Sequence, residues 1–144
     1  MFTKYFEQYE VGETWESHGR TITETDLVNF SALSGDWFPL HTDIEYAKNT
    51  AFQQRVAHGA LILSISTGLI DLEPGKVVAF YGIEKLRFIR PTFIHDTISV
   101  ALEIVDLEDK GETGVVTVRE KIVNQAGKTA VDGVLKLLVN KYSV

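Results

Sequence analysis

The 144-residue chain contains no cysteine. Disulfide bonds, thiolate nucleophiles and cysteine-ligated zinc sites are therefore excluded, although this absence does not identify a compartment. Long apolar segments are lacking too, because the most apolar stretch, residues 60–72, contains serine, threonine, glycine and aspartate. It is too short and too polar to span a bilayer. Residues 1–13 have no apolar segment of the kind found in signal peptides, and we expect a cytoplasmic protein.

Positive charge is scarce: 14 lysines and arginines face 20 aspartates and glutamates, for a net charge of −6. An acidic chain without a basic run is a poor candidate for binding nucleic acid, and we expect neither nucleic-acid nor membrane partners. Hydrophobic residues make up 44% and charged residues 24%, which is typical of a globular protein. We predict that residues 1–144 form a single domain around one core.

Only three prolines occur, and Pro39 lies between an aspartate and a histidine five residues apart, Asp36 and His41. On an unbroken helix that spacing turns the chain by roughly 500°, so the side chains would point to different faces. Gly35 and Pro39 favour a short irregular loop instead, which can bring the carboxylate and the imidazole to one site. Such a pair suits general acid–base chemistry on water. An ordinary turn explains the same residues, and from the pair alone both readings stay open.

A second motif, Val56-Ala57-His58-Gly59-Ala60, precedes an apolar stretch that predicts a buried helix from Ala60 to about Asp71. The start of a helix presents unpaired N–H groups and a partial positive charge. Gly59 there would let a ligand approach the backbone, which can then stabilise a developing enolate. The alternative is that Gly59 only permits close packing of the helix on a sheet.

The order of predicted elements is helices first and strands afterwards. Thr23 and Asp26 form a capping pair for a helix to about Leu33, and Thr42 with Glu45 repeats that pattern. Strands are predicted at 14–22, 77–82, 86–88, 97–106, 114–124 and 129–140, with hairpin turns at 110–112 and 125–128. This order is typical of an α+β domain with one hydrophobic helix laid against an antiparallel sheet.

The stretch 34–41 resembles the signature S/T-G-D-x-N-P-L/I-H of the MaoC-like (R)-specific enoyl-CoA hydratases and dehydratases. Residues 58–69 are similar to that family's H-G-x-x-x-x-S/A-x-x-S/T-G-L, and residues 86–96 to a strand ending in Pro-x-x-x-Gly-Asp. Phe38 stands where the family usually has asparagine, and His95 stands where it has glycine. The resemblance covers most of the chain. It implies the hot-dog fold, a curved antiparallel sheet wrapped around a central hydrophobic helix.

The resemblance also implies an activity, a hydro-lyase of fatty acid metabolism. It would hydrate trans-2-enoyl-CoA to (R)-3-hydroxyacyl-CoA, or run the reverse dehydration. Coenzyme A would be part of the substrate, no cofactor would be bound, and the protein would be a homodimer or higher homo-oligomer. The implied catalytic residues are Asp36, His41 and Gly59, with Asp36 as the base and Gly59 as the oxyanion donor. The implied substrate-binding residues are Trp37, Phe38, Pro39, His58 and Thr67.

His58 and Thr67 each have a plainer reading. His58 can be a structural histidine, and the Thr67 hydroxyl can bond its own helix. The activity has rivals as well, a hot-dog acyl-CoA thioesterase or a non-catalytic acyl-thioester-binding domain, because fold alone does not settle function. The absent asparagine at Phe38 is the best support for the binding domain.

Two further patterns involve side chains that can bind ligands. His41 and Asp43 could suggest a pair of metal ligands, but no third ligand has a supporting pattern, and we expect no metal site. Arg87 and Arg90 lie shortly before Pro91 in a strand-like stretch. They can either pair with coenzyme A phosphates or be solvated residues at a sheet edge.

Overall fold

The computed structural model describes residues 1–142, which form an antiparallel sheet with helices packed against it. The helices are α1 Glu24–Ser34, α2 Pro39–Thr42, α3 Ile44–Ala47 and α4 Gly59–Leu69, after a short 3-10 turn at Phe6–Gln8. The strands are β1 Thr14–Glu16, β2 Arg20–Thr21, β3 Val77–Phe88, β4 Thr97–Asp109, β5 Thr113–Val123 and β6 Thr129–Asn140. Within this part of the chain no helix has the length and apolar composition required to cross a membrane.

The six strands form one sheet in the order β1-β4-β5-β6-β3, with β2 also paired to β4. Every strand pair is antiparallel. Among the strands of residues 1–142, β3 pairs with β6 alone and forms one edge of the sheet. The predicted α+β class, with its run of antiparallel strands after the helices, is therefore confirmed.

The core lies between the sheet and α4. Alternate residues of the long strands face it, as the two-residue period of a strand requires. Strands β4, β5 and β6 contribute a row of aliphatic side chains that are almost fully buried: Ile98, Val100, Leu102, Ile104, Val116, Val118, Ile122, Val131, Leu135, Leu137 and Val139. From α4, Leu61, Ile62 and Leu69 complete this core.

Helix α1 begins and ends where its sequence predicts. The Thr23 hydroxyl accepts the Asp26 N–H at 3.2 Å, and the Asp26 carboxylate accepts the Thr23 N–H at 2.7 Å, which confirms the capping pair. Gly35 ends the helix with φ of 77°, a left-handed conformation that favours glycine. Asp26 also binds Arg20 of β2 through two hydrogen bonds, which hold the pKa of Asp26 at about 2 and fasten α1 to the sheet.

Two expectations about the loop after α1 need correction. Pro39 does not end helical structure there, because it occupies the first position of α2, where a proline has no N–H bond to lose. The cap of α3 is Asp43 rather than Thr42, since the Asp43 carboxylate accepts the Tyr46 N–H at 3.0 Å. The segment is thus two short helical turns between Gly35 and Thr50, and not an irregular loop followed by one helix.

The strand boundaries also differ in places. The predicted first strand is split into β1 and β2, while 77–82 and 86–88 are one strand, β3, with pairing irregularities that include Lys85 at φ of 52°. His95, in the turn before β4, has φ of 77°. A glycine would adopt that left-handed conformation more readily, which explains why the similar family has glycine at this place.

Helix α4 is not buried all round, contrary to expectation. Leu61, Ile62, Ser66 and Leu69 are buried, whereas Ala60, Ser64 and Gly68 are exposed. These three small residues are spaced by four positions and therefore share one face of the helix. The open sheet covers only one side of α4, so apolar composition alone overestimated its burial.

Candidate active site

Asp36 is held in the turn that joins α1 to α2. Its backbone N–H donates to the Ser34 hydroxyl at 3.1 Å, and its carboxylate Oδ1 accepts the Phe38 N–H at 3.1 Å. This side chain-to-backbone turn is a common use of aspartate after a helix end. One carboxylate oxygen is thereby positioned by the protein, and Oδ2 is left available for another partner.

His41 lies on α2 and is tied to the segment before α4. Its Nδ1 is 2.6 Å from the Val56 carbonyl oxygen. Because a carbonyl can only accept, Nδ1 must carry the hydrogen, and in the neutral ring Nε2 holds the lone pair. The Val56 N–H in turn donates to the Leu40 carbonyl at 3.2 Å, so the two segments hold each other at this point.

The carboxylate of Asp36 and the imidazole of His41 meet at one place, as predicted from the sequence. One oxygen of Asp36 and one nitrogen each of His41 and His58 all lie within 4.8 Å of one another. Two groups at that separation can be bridged by a single water through hydrogen bonds of about 2.8 Å. The arrangement can therefore hold and polarise one water molecule.

His58 is buried behind His41. Its ring stacks on the His41 ring, with centroids 3.9 Å apart and an interplanar angle of 26°. Its Nε2 lies 3.1 Å from both the Ser31 hydroxyl and the Asp36 backbone carbonyl. Burial lowers the pKa of His58, the bond to the Asp36 carbonyl opposes that, and nearby His41 lowers it further. His58 is therefore neutral, and at 2% exposed its placement does not support direct contact with substrate.

The same three side chains are the group that could hold a metal ion within the described residues. His58 supplies the third ligand that the sequence pattern lacked. His41 Nδ1 and His58 Nε2 face backbone carbonyls, so each ring has one nitrogen to offer. Metal-ligating histidines commonly donate their other N–H to a carbonyl, so these bonds do not distinguish a bound water from a metal ion. The absence of a metal stays a prediction.

The N-terminus of α4 forms the second part of the candidate site. No side chain caps this helix, and His58 precedes it in an extended conformation. Gly59 is the first helical residue, and a Cβ added there would lie 2.6 to 2.9 Å from atoms of the Phe88 ring. Glycine is therefore needed for close packing against β3, which supports the plainer reading. The oxyanion role is compatible with it and stays a prediction.

A cavity of about 500 Å³ opens beside both parts of the site. Its walls are mostly apolar, as expected for a pocket that takes an acyl chain. His41 and Gly59 line it together with Phe52, Val56, Ala57, Ala60, Ile62, Phe88, Ile89, Arg90, Pro91, Thr92 and Val131. The lining does not include Asp36, Trp37, Phe38, Pro39, His58 or Thr67, so the substrate-binding roles predicted for the last five stay untested.

Trp37 and Phe38 are surface residues beside the Asp36–His41 pair. They are 53% and 52% exposed, which excludes the possibility that Phe38 belongs to the core. The Phe38 ring stands edge-on to His41 at 6.0 Å and to Tyr46 at 6.1 Å. It therefore shields one side of the imidazole from solvent.

The Thr67 hydroxyl donates to the Ser64 carbonyl of its own helix at 2.7 Å. The hydroxyl is thus bonded within its own helix, which agrees with the plainer reading, and the substrate-binding role of Thr67 stays a prediction. With phenylalanine in place of the family's asparagine, the Asp36 carboxylate is held by the Phe38 N–H.

Several residues of the site were not found from the sequence. The Val56 carbonyl orients His41, Ser31 contacts His58, and Phe52 and Phe88 form walls of the pocket. Ser31 and the aromatic residues carry no local signal, because their roles depend on elements that are distant in the chain. The sequence indicates Arg90 as a candidate phosphate partner. Its position on the pocket wall depends on the folded structure and could not be predicted from the sequence.

We expect Gly59→Val to lower activity by about 10²-fold, the effect of losing one oxyanion-hole donor, because a side chain there obstructs the helix N-terminus. Gly68→Ala is the matched control, since Gly68 is exposed and a Cβ there meets no atom within 4 Å. It should leave kcat unchanged and raise stability by up to about 1 kcal/mol. Steady-state kinetics and thermal melting measure both. If Gly59→Val combined with Phe88→Ala regains activity, the loss came from packing and the oxyanion role is wrong.

Phe38→Asn is expected to retain activity on short enoyl thioesters and to change the preference among acyl groups. Phe38 is exposed, so the exchange buries no unpaired amide and should alter stability by less than about 0.5 kcal/mol. Kinetics on a series of acyl lengths test this, with Ile44→Asn as a control at another exposed apolar residue of the same segment. An unchanged acyl preference in Phe38→Asn would show that this ring does not shape the acyl channel.

Comparison with known proteins agrees with this geometry. Residues 6–126 match the family model described as a MaoC like domain. The chain is 37% identical to the (R)-specific enoyl-CoA hydratase of Aeromonas caviae over 110 residues, which are 75% of this chain and 79% of that protein. It is 45% identical to Protein MaoC of Klebsiella aerogenes over 102 residues, 70% of this chain, but the match spans only 30% of that longer protein.

A solved structure is similar over almost the whole chain. The X-ray structure of the monoamine oxidase regulatory protein from Archaeoglobus fulgius has a TM-score of 0.92 at 40% identity, covering 97% of this chain and 96% of that one. The family match covers more than half of the chain and includes the turn with Asp36, α2 with His41, and the start of α4. The chain therefore belongs to the MaoC-like hydratase and dehydratase family and has its hot-dog fold.

Proposed function

We propose that the protein hydrates trans-2-enoyl-CoA to (R)-3-hydroxyacyl-CoA, or catalyses the reverse dehydration. One observation carries the proposal. The Val56 carbonyl binds His41 Nδ1, which leaves the Nε2 lone pair free, and a nitrogen of this ring lies within 4.8 Å of an Asp36 carboxylate oxygen at the wall of an apolar pocket. The same pocket includes the first residue of α4, where a thioester oxygen can be received.

In the proposed reaction, Asp36 and His41 bind one water between them. The water oxygen bonds to C3 as one of the pair takes its proton, and the electrons of the C2–C3 double bond pass into the thioester as an enolate. The Gly59 N–H stabilises the enolate oxygen, and a proton is then delivered to C2. Resemblance to the family favours Asp36 as the base. A closely coupled pair need not titrate as separate sites.

The coenzyme A part of the substrate would leave the pocket on the side of Arg90. This residue is exposed, lines the pocket and donates to the Thr129 carbonyl at 2.9 Å. A guanidinium has further donors for a phosphate beyond that bond. Arg87 lies outside this pocket, beside Arg119 and Asp132. Of the two arginines, Arg90 is the better candidate for a phosphate contact.

The deciding experiment is incubation with crotonyl-CoA while the enoyl absorbance and the free thiol are followed together. Loss of absorbance without thiol release supports the hydratase, and chiral separation of the product tests the (R) configuration. Release of thiol would instead support the rival thioesterase. No change with crotonyl, hexenoyl and octenoyl thioesters, together with saturable binding of one of them, would support the non-catalytic binding domain.

We also propose that the protein is at least a homodimer. Edge strand β3 exposes apolar side chains on both faces, among them Val78, Phe80, Tyr81 and Ile83. An unpaired apolar edge is a template for pairing with a second chain. The pocket is lined by Phe88, the last residue of β3, and by Ile89, so it would lie near this interface.

The double variant Phe80→Glu/Ile83→Lys is expected to sediment as a single chain of about 16 kDa, while the wild type sediments as a dimer or larger. Charges on an edge strand oppose pairing with another edge. Val105→Lys is the control, because Val105 is exposed on β4, away from the free edge. It should leave the mass unchanged. A wild type that remains a single chain at micromolar concentration would refute the dimer.

A further inference from the structure

His58 and Ser31 are buried polar side chains directly beside the acid–base pair, and neither lines the pocket. We propose that they act as a positioning pair, in which His58 fixes both the Asp36 turn and the His41 ring. The proposal rests on the proposed function. It assigns to His58 a role through other residues and not contact with substrate.

The hydrogen bonds define which nitrogen of His58 carries its hydrogen. The Asp36 carbonyl oxygen can only accept, and it lies 3.1 Å from His58 Nε2. Nε2 is therefore the N–H, shared with the Ser31 hydroxyl at the same distance. Among the described residues Nδ1 has no hydrogen-bond partner. A lone pair without a partner is tolerated here in exchange for an N–H aimed at the Asp36 turn.

The two imidazoles of the site are thus held in complementary tautomers. His58 carries its hydrogen on Nε2 and donates to the Asp36 backbone, and His41 carries its hydrogen on Nδ1 and donates to Val56. The rings are in contact at 3.9 Å, and Phe30 packs on His58 at 4.9 Å. Because protein interiors resist small displacements, a fixed His58 ring restricts rotation of the His41 ring.

The charge state of His58 is part of this role. Burial lowers the pKa of His58, so the ring stays neutral when His41 gains a proton during the reaction. A second cation in contact with His41 would oppose that proton. A neutral ring that donates one hydrogen bond and stacks on its neighbour holds the acid–base pair without competing for its proton.

The test compares three variants. His58→Leu removes the donor, and we expect kcat to fall by about 10–100-fold, the effect of a small misplacement of catalytic groups, with KM changed less than about threefold. His58→Gln places an amide N–H at nearly the reach of Nε2 and should recover most of that loss. Ser31→Ala should lower kcat by less than His58→Leu does. Ser66→Ala is the matched control, a fully buried serine on α4 whose hydroxyl bonds Leu63, and it should leave kcat within about twofold.

Nitrogen-15 NMR of the histidine rings gives a readout that does not depend on activity. In the wild type we expect neutral His58 in the Nε2–H form at pH 8, and His41 in the Nδ1–H form when neutral. In His58→Leu the His41 ring should show a mixture of tautomers, and in His58→Gln it should not. If the wild type hydrates no enoyl thioester, the proposed function fails, and these spectra still decide the positioning role.

Three results would overturn the proposal. The first is a folded His58→Leu with kcat within twofold of the wild type. The second is a rise in KM alone, which would indicate contact with substrate. The third is an unchanged His41 tautomer in His58→Leu. If His58→Leu fails to fold, Ser31→Ala decides, and a kcat equal to that of Ser66→Ala would reject the pair.

Discussion

Asp36→Asn and His41→Ala are each expected to lower the hydration rate by about 10²–10⁴-fold, the usual contribution of a positioned acid or base. In the proposed mechanism both groups act on one water, which their separation allows, because one atom of each lies within 4.8 Å of the other. The fold should be retained, because Asp36 is exposed and its amide counterpart can still accept the Phe38 N–H. Initial rates with crotonyl-CoA and circular dichroism measure the two effects.

The double variant Asp36→Asn/His41→Ala sharpens this test. If the two residues act as one unit, it should be little worse than either single variant, because effects within a unit are not additive. His18→Ala is the control for a histidine replacement, since His18 is exposed between β1 and β2. It should retain the full rate. Near-normal activity in either single variant would contradict the assignment of the pair.

The second large effect concerns stability and arises from Glu120. This residue of β5 is fully buried, and neither carboxylate oxygen has a hydrogen-bond partner among the described residues. Glu120 pairs with Leu102 of β4 and with Gly133 of β6. The Ser66 hydroxyl of α4 donates its hydrogen to the Leu63 carbonyl instead. Burial raises the pKa of Glu120 from 4.5 to about 7. The folded protein therefore keeps this carboxyl protonated in weakly acidic solution.

The pH dependence follows from proton linkage. Below pH 4.5 the group is protonated in both states, and its burial carries no penalty from ionisation. Between pH 4.5 and about 7 the unfolded chain loses the proton first, so the free energy of unfolding decreases as pH rises. At about 1.4 kcal/mol per pH unit the total loss is about 3 kcal/mol, and it is complete above the folded-state pKa.

Glu120→Gln should remove this dependence. At pH 8 we expect the variant to be more stable than the wild type by up to about 3 kcal/mol, and at pH 4.5 the difference should be small. Urea unfolding between pH 4.5 and 8 measures it. Glu103→Gln is the control, because Glu103 is exposed on the neighbouring strand and should not change the slope. A Glu120→Gln variant that loses stability in parallel with the wild type as pH rises would show that Glu120 is not the group responsible.

The burial of Glu120 follows from the sequence pattern of β5. In β5 the residues Val116, Val118, Glu120 and Ile122 alternate with more polar neighbours, so the two-residue period places Glu120 in the core row. The pattern was readable from the sequence. What it could not reveal is the absence of a partner, because that depends on which side chains β6 and α4 bring opposite it.

Local features of the fold were predictable because their causes lie within a few residues. The capping pair of Thr23 and Asp26, the left-handed Gly35 and the hairpins between the long strands each depend on neighbours in the chain. The meeting of Asp36 with His41 belongs to the same class, since a single turn of five residues produces it. Pro39 was misread because a proline that disfavours the helix before it also suits the first position of the next one.

The fold class, the family signature and the proximity of Asp36 to His41 could be read from the chain, because a periodic pattern or one turn specifies each of them. Other contacts of the site arise only when distant segments pack together. The folded chain places the Val56 carbonyl on His41, His58 and Ser31 behind the Asp36 turn, and Phe88 against Gly59. These contacts join segments separated by 15 to 29 positions. Their geometry depends on how α4 packs on the sheet. The packing energy is distributed over the whole core, so no single residue encodes it.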